Sequence, residues 1–105
     1  MNSRDKGARF ERQIANVLKG RGYDARRGQQ YSGANGDADV VGLPGVHIEC
    51  KAVERLNVSA AYAQSQRDAR DGEVPVVVHK KSREPIMITL LLDDFLDIYE
   101  EARKE

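Results

Sequence analysis

The sequence predicts an α/β fold in which helices flank one mixed five-stranded sheet. Apolar residues recur at helical spacing in three segments, near the start, in the middle and at the end of the 105-residue chain. Between these segments lie five short runs that are rich in β-branched residues or alternate apolar with polar residues. A helix between the third and fourth strands requires a right-handed crossover, so we expect these two strands to be parallel. We expect a single domain over residues 1–105.

The first helix is predicted over residues 3–20, with Ser3 as its N-cap and glycine at its end. Its apolar stripe, at helical spacing, consists of Phe10, Ile14, Val17 and Leu18. Glu11 lies on the margin of an apolar face, where a carboxylate is costly unless it has a partner. Its carboxylate either reaches Arg12 or Lys19 at the surface or points at a functional site.

A short strand should follow over residues 23–27, with Tyr23 and Ala25 facing inward. Residues 28–36 are glycine-rich and polar, without apolar periodicity, which indicates a mobile loop. Arg26 and Arg27 stand directly before this loop. The segment is therefore suited to closing over a phosphate backbone.

Residues 40–51 form a predicted β-hairpin with a Pro-Gly pair at its turn. A two-residue turn would place Asp39 opposite Cys50, on the other face from Glu49. A three-residue loop over residues 43–45 would pair Asp39 directly with Glu49. We favour the three-residue loop because it separates an apolar face from a polar one.

The polar face of this hairpin would carry Asp39, Glu49 and Lys51. Opposed carboxylates on a sheet repel each other by a few tenths to about 1 kcal/mol, and a divalent cation between them would turn the repulsion into attraction. Oxygen ligands of this kind suit magnesium, which takes one or two carboxylates and keeps several waters. The Lys51 ammonium could hold a water or a phosphate oxygen beside them. A solvated strand face with an ordinary salt bridge is the alternative interpretation.

A second helix is predicted over residues 58–70, with Asn57 as its cap. Both Gln64 and Gln66 lie in this helix. Residues 74–79 are almost all apolar, which is typical of a strand buried on both faces.

Residues 86–91 form the last predicted strand, and the final helix should run over residues 93–103 with Asp93 as its cap. The inward-facing residues of this helix would be Phe95, Leu96, Tyr99 and Ala102. The acidic face of the helix would then lie on the outside.

Charge is distributed unevenly along a chain whose net charge is zero. Residues 1–30 contain eight basic and three acidic residues, a net charge of +5. Residues 93–105 contain two basic and six acidic residues, a net charge of −4. This asymmetry favours a polyanion such as DNA on the basic side, whereas the alternative is that helix charges only keep the domain soluble.

Cys50 is the single cysteine, which excludes an intrachain disulfide and a cysteine-clustered zinc site. The histidines at positions 47 and 79 are isolated in the sequence, so we expect neither to bind a metal. The chain has no apolar run long enough to span a membrane and no predicted signal segment. We therefore expect a cytoplasmic protein.

The motif Asp39-Val40-Val41 followed by Glu49-Cys50-Lys51 resembles the core signature of the PD-(D/E)XK nuclease superfamily, with alanine instead of proline before the aspartate. Residues 6–12, the loop that contains Ser32 and the helix after the hairpin resemble archaeal-type Holliday junction resolvases and their phage-borne relatives. This resemblance covers about residues 6–95. It implies a restriction-endonuclease-like three-layer core.

The resemblance also implies a magnesium-dependent endonuclease, with manganese as a substitute metal, that hydrolyses phosphodiester bonds in branched DNA. The implied metal ligands are Asp39, Glu49, the Cys50 backbone carbonyl and Glu11. Lys51 would position or activate the attacking water. Gln64 would orient the site, with Gln66 as the second choice.

A homodimer is implied as well, because cutting two symmetric strands requires two active sites; the apolar run at residues 87–92 or the first helix could supply its interface. The residues expected to contact DNA are Arg4, Lys6, Arg9, Arg26, Arg27 and Ser32. Three other functions remain open at this point. They are a related nuclease acting on flaps, nicks or duplex DNA, a catalytically silent DNA-binding module, and a protein-interaction domain that uses the acidic last helix.

Overall fold

The computed structural model describes residues 2–29 and 38–104. Its helices are α1 (Ser3–Gly20), α2 (Val58–Asp68) and α3 (Leu92–Ala102). Its strands are β1 (Arg26–Arg27), β2 (Val40–Val41), β3 (Val46–Ala52), β4 (Val74–Lys80) and β5 (Met87–Thr89). Ser32 and most of the predicted loop around it lie outside the described residues.

The five strands lie side by side in chain order, β1-β2-β3-β4-β5. Strands β3 and β4 are parallel, and each of the other neighbouring pairs is antiparallel. Helix α2 connects the two parallel strands, as a crossover must. The prediction of an α/β fold with one mixed five-stranded sheet is therefore confirmed.

The hairpin of β2 and β3 has the predicted register. Val40 is opposite Ile48, which leaves a three-residue loop that ends at Gly45. Gly45 has a φ of +80°, the conformation that glycine adopts without steric cost. Gly42 has a φ of +111°, and a Cβ atom there would collide with the backbone carbonyl oxygen of Asp24. Close backbone approach and turn geometry both require glycine at these positions.

Helix α1 packs on one face of the sheet, although its cap and part of its predicted stripe differ from expectation. The side chain of Asn2, rather than Ser3, caps the helix by accepting a hydrogen bond from the Asp5 backbone N–H. Val17 is 48% exposed and so does not belong to the inward face. The buried cluster on this side of the sheet is Phe10, Ile14, Ala15, Ala25, Val40, Ile48, Cys50, Val76 and Val78.

Helix α2 covers the other face. Its Asn57 cap is confirmed, and its buried residues are the small Ala61 and Ser65. The Ser65 hydroxyl donates to the Val76 backbone carbonyl at 2.9 Å, which lets the helix lie close against β4. His47 and Glu49 alternate along β3 with the residues under α1, so they lie on this second face. Helices on both faces of the sheet make the three layers.

Two predictions at the first and last elements are wrong. The first strand contains only Arg26 and Arg27, and Tyr23 is 44% exposed instead of facing inward. Helix α3 begins at Leu92, and no side chain caps it, so Asp93 is not its cap.

None of the residues of α3 is buried, so the inward face predicted at Phe95, Leu96, Tyr99 and Ala102 is exposed. The apolar pattern was correct, but residues 2–29 and 38–104 leave this face of the helix uncovered. Within the described ranges, none of the helices is both long and apolar enough to cross a membrane.

Candidate active site

Asp39 and Glu49 meet where β2 joins β3. Asp39 stands directly before β2, and one of its carboxylate oxygens accepts a hydrogen bond from the Cys50 backbone N–H at 2.8 Å. The register of the hairpin sets Asp39 opposite Glu49, and their carboxyl groups lie close enough for each to shift the pKa of the other. Glu49 is only 4% exposed. The local structure therefore brings the two acids together as the three-residue loop predicts.

Burial disfavours ionisation of both acids. Burial raises the pKa of Asp39 to about 6, and the neighbouring Glu49 adds to this rise, while the Cys50 N–H opposes it. Burial also raises the pKa of Glu49, and the neighbouring Asp39 carboxyl opposes this rise, while the negative charge of Asp68 adds a smaller increase. Two carboxyl groups in contact titrate as a coupled pair. A cation bound between them would relieve the cost of ionising both.

Lys51 is half-buried on the same strand, two positions beyond Glu49. Its ammonium lowers the pKa of both acids, which places its positive charge near them. The Cys50 thiol faces the core, and burial raises its pKa, so it is not a nucleophile.

Glu11 is the third acid of the predicted site. Its carboxylate accepts a hydrogen bond from Arg27 Nε at 3.0 Å, so neither Arg12 nor Lys19 is its main partner. Burial raises the pKa of Glu11, and the negative charge of Asp39 raises it further. Glu11 therefore lies close enough to Asp39 for the Asp39 charge to affect its pKa.

Gln64 is half-buried in α2, and no hydrogen bond joins it to these acids within the described residues. In the same part of the chain, no group of three or more His, Cys, Asp or Glu side chains is arranged to hold a metal ion. The pair of Asp39 and Glu49 still provides the one or two carboxylates that magnesium ordinarily takes from a protein. The donor set therefore fits a magnesium ion that keeps most of its waters.

His47 belongs to this region, although the sequence presented it as an isolated histidine. Its Nε2 atom lies 2.8 Å from Glu49 Oε1, and the side chain is 3% exposed. The alternation of β3 already placed positions 47 and 49 on one face. The sequence could not show that this face is closed by α2.

The predicted DNA-contacting residues have different environments. Arg4, Arg9 and Arg26 are exposed, whereas Arg27 is paired with Glu11. The Lys6 ammonium is 4.0 Å from a carboxylate oxygen of Glu54.

A cavity of about 150 Å³ opens beside the N-terminal half of α1. Its lining residues are Lys6, Arg9, Phe10, Gln13, Ala52, Lys80, Lys81 and Ser82. Lys80 and Lys81 were not predicted to contact DNA. Their adjacency in a charged turn was visible in the sequence, but their position beside α1 was not.

One comparison with known proteins identifies the family. A family model described as "Archaeal holliday junction resolvase (hjc)" matches residues 2–66. No curated protein matches the chain. The matched segment contains Glu11, Asp39, Glu49, Lys51 and Gln64 and agrees with the PD-(D/E)XK resemblance. Because the match covers well over half of the 105 residues, the chain belongs to the archaeal Holliday junction resolvase family.

Proposed function

We propose that this protein is a magnesium-dependent endonuclease that hydrolyses phosphodiester bonds in four-way DNA junctions. The observation that carries the proposal is the hairpin register, which sets the buried Glu49 opposite Asp39 on a strand that also bears Lys51. Paired acids that are costly to ionise without a cation suit metal-assisted phosphodiester hydrolysis. Membership of a resolvase family supports branched DNA as the substrate.

Asp39 and Glu49 would hold the metal, with the Cys50 backbone carbonyl as a neutral ligand. Glu11 would act as a further ligand or hold a water nearby, in exchange for part of its contact with Arg27. Magnesium, or manganese in its place, supplies positive charge that stabilises the phosphate in the transition state. Arg27 could move away from Glu11, because the Arg27 side chain is 42% exposed.

Lys51 would hold the attacking water by donating an ammonium N–H to the water oxygen and would offset charge that develops on the phosphate. Its half-buried position strengthens this effect, since charges interact more strongly away from bulk water. Gln64 would orient substrate or water from α2 after a side-chain rotation.

DNA would approach the basic side of the molecule. Arg4, Arg9 and Arg26 are exposed and can contact phosphates. Arg26 would do so by releasing its 3.3 Å hydrogen bond to the Arg27 backbone carbonyl. Lys80 and Lys81 would extend this surface beyond Ala52, which follows Lys51 on β3. We also propose Lys6 and Ser32 as contacts.

A homodimer would supply the second active site needed to cut two symmetric strands. The surface proposed for it, named here the α3–β5 face, consists of Ile86, Met87, Ile88, Leu91, Leu92, Phe95, Leu96, Ile98 and Tyr99. These side chains are between 36% and 69% exposed. A standard interface covers about 800 Å² on each partner, and nine large side chains with this exposure present an area of that order. Strand β5 is also an edge strand, whose unpaired backbone groups can pair with a second copy.

The function is tested by incubating a labelled four-way junction, a flap and a linear duplex with the protein, with and without magnesium. We expect paired, symmetric cuts in the junction that require magnesium. Asp39→Asn should abolish cleavage because it removes one negative ligand while keeping the side-chain size. Asp93→Asn, which changes an exposed acid in α3, is the matched control and should cut normally.

Cleavage that survives Asp39→Asn would contradict the proposed site. Magnesium-dependent cleavage confined to the flap or the duplex would keep the nuclease chemistry and replace the substrate. Binding of the junction without cleavage under any condition would indicate a silent DNA-binding module.

A further inference from the structure

His47 makes a buried hydrogen bond with a residue of the candidate active site. His47 and Glu49 are two positions apart on β3, so their side chains lie on the same face. His47 Nε2 and Glu49 Oε1 are 2.8 Å apart, and the two side chains are 3% and 5% exposed. An ionised carboxylate can only accept, so the imidazole N–H donates in this state.

The other side of the imidazole ring also has a neighbour. His47 Nδ1 is 3.7 Å from Glu73 Oε1, which is too long for a hydrogen bond. Glu73 is itself fixed, because it accepts a hydrogen bond from the Arg70 backbone N–H at 2.8 Å. The ring thus lies between Glu49, to which it is hydrogen-bonded, and the turn that follows α2.

We propose that His47 is a positioning residue that orients the Glu49 carboxylate for magnesium. This inference rests on the proposed function, since it requires Glu49 to be a metal ligand. By engaging Oε1, the imidazole limits rotation of the carboxyl group and leaves Oε2 available for the cation. Groups that hydrogen-bond to metal ligands commonly change metal affinity by 10-fold to 100-fold when they are removed.

A purely structural role would explain the burial of His47 but not its choice of partner. An aliphatic side chain could fill the space between β3 and α2 without bringing a polar group that needs a partner. His47 instead makes its short hydrogen bond with Glu49, an acid of the candidate site. Within the described residues, His47 belongs to no cluster that could itself hold a metal.

The test compares variants at His47 that can or cannot donate a hydrogen bond to Glu49. His47→Leu removes the donor and keeps much of the volume, while His47→Gln can place an amide N–H near the original Nε2 position. His47→Asn keeps the amide but is too short to reach Glu49. The matched control is His79→Leu on the neighbouring strand, because His79 makes its 2.8 Å hydrogen bond with Thr89 instead.

The first measurement is the magnesium concentration that produces half of the maximal rise in melting temperature, without DNA. We expect His47→Leu and His47→Asn to increase this concentration by about 10-fold or more. His47→Gln should restore most of the wild-type value, and His79→Leu should leave it unchanged. In junction cleavage over a range of DNA concentrations, the variants that bind magnesium most weakly should have the lowest kcat. KM for DNA should stay constant.

The inference would be overturned if folded His47→Leu or His47→Asn bound magnesium like the wild type. It would also be overturned if His79→Leu weakened magnesium binding equally, because the effect would then be general to the sheet. If His47→Leu does not fold, the comparison of the two amide variants decides the question. A wild-type protein that shows neither a magnesium response nor cleavage would mean that the proposed function itself has failed.

Discussion

Arg27 Nε donates a hydrogen bond to Glu11 Oε1 at 3.0 Å, joining two residues that are 16 positions apart. Glu11 was predicted as an acid of the active site, and Arg27 was predicted as a DNA contact. The pair connects α1 to β1 at the margin of the acidic pair formed by Asp39 and Glu49. This contact suggests that Arg26 and Arg27, although adjacent, have different roles.

We therefore expect Arg26→Gln and Arg27→Gln to differ in the salt dependence of junction binding. Arg26 is exposed, and loss of one phosphate contact should reduce the slope of log K against log salt by about 0.9. Arg27→Gln should change the slope less, because its guanidinium is already paired with Glu11, but should lower kcat by disturbing Glu11. Binding is measured by fluorescence anisotropy in the Asp39→Asn background, and kcat in the otherwise unchanged protein. Equal slopes and an unchanged kcat would show that Arg27 is an ordinary phosphate contact.

Without divalent metal, Asp39→Asn should stabilise the protein above pH 6. The pKa of Asp39 rises from 3.8 to about 6 on folding, so between these pH values the native state binds more protons than the unfolded state. Stability then falls as pH rises through this window, by about 3 kcal/mol in total. Asparagine removes the charge and keeps an oxygen that can accept from the Cys50 N–H.

Urea unfolding at pH 4 and pH 7.5 with a metal chelator checks this prediction. The variant and the wild type should have similar free energies of unfolding at pH 4 and differ most at pH 7.5. Asp93→Asn, in exposed α3, should show no such pH-dependent difference. Adding magnesium should stabilise the wild type more than Asp39→Asn, and equal stabilisation of both would contradict a metal site at Asp39.

Replacing Lys80 and Lys81 together by glutamine should weaken junction binding and flatten its salt dependence. If both ammonium groups contact phosphates, the slope of log K against log salt should fall by about 1.8. The double variant Arg103→Gln/Lys104→Gln is the matched control, because this adjacent basic pair lies at the end of the acidic helix α3. Its Lys104 is paired with Glu101 at 2.9 Å. An equal loss in the control would indicate a nonspecific effect of net charge.

Phe95→Glu in the α3–β5 face should convert the proposed homodimer into a monomer. Phe95 is 47% exposed on a helix that has no buried residue, so the substitution should not disturb the core of the protomer. Sedimentation equilibrium measures the mass, and the free energy of unfolding measures protomer stability. The monomer should make single nicks in a junction in place of paired cuts.

The matched control for this surface is Val17→Glu, which changes an apolar side chain with 48% exposure on α1. It should leave the mass unchanged. A wild-type protein that is monomeric at all concentrations would contradict the proposed interface, as would a Phe95→Glu protein that remains dimeric.

The strand alternation and the glycines of the hairpin predicted how Asp39 would meet Glu49. Strand side chains repeat every two residues, and only glycine suits the φ of +80° at Gly45, so a three-residue loop was the arrangement that kept apolar and polar faces apart. The parallel pair β3–β4 was predictable for a similar reason, because a helical connection between strands requires a crossover.

Local sequence determined less about the ends of the chain. The amphipathic pattern of α3 showed that one face was apolar, but a pattern cannot say whether the covering surface belongs to the same chain. The caps of α1 and α3 differed from prediction because a single residue's shift of the helix start changes which side chain can reach a free N–H.

The sequence by itself determined the order of the elements, the hairpin and the three chemical groups that it carries, since these depend on contacts between near neighbours. Only the tertiary structure decided that Glu11 pairs with Arg27, that α2 buries His47 against Glu49 and that Lys80 stands beside α1. Each of these contacts joins separate layers or elements of the fold. The packing of the helices on the sheet determines which residues make these contacts. A local sequence periodicity contains no information about that packing.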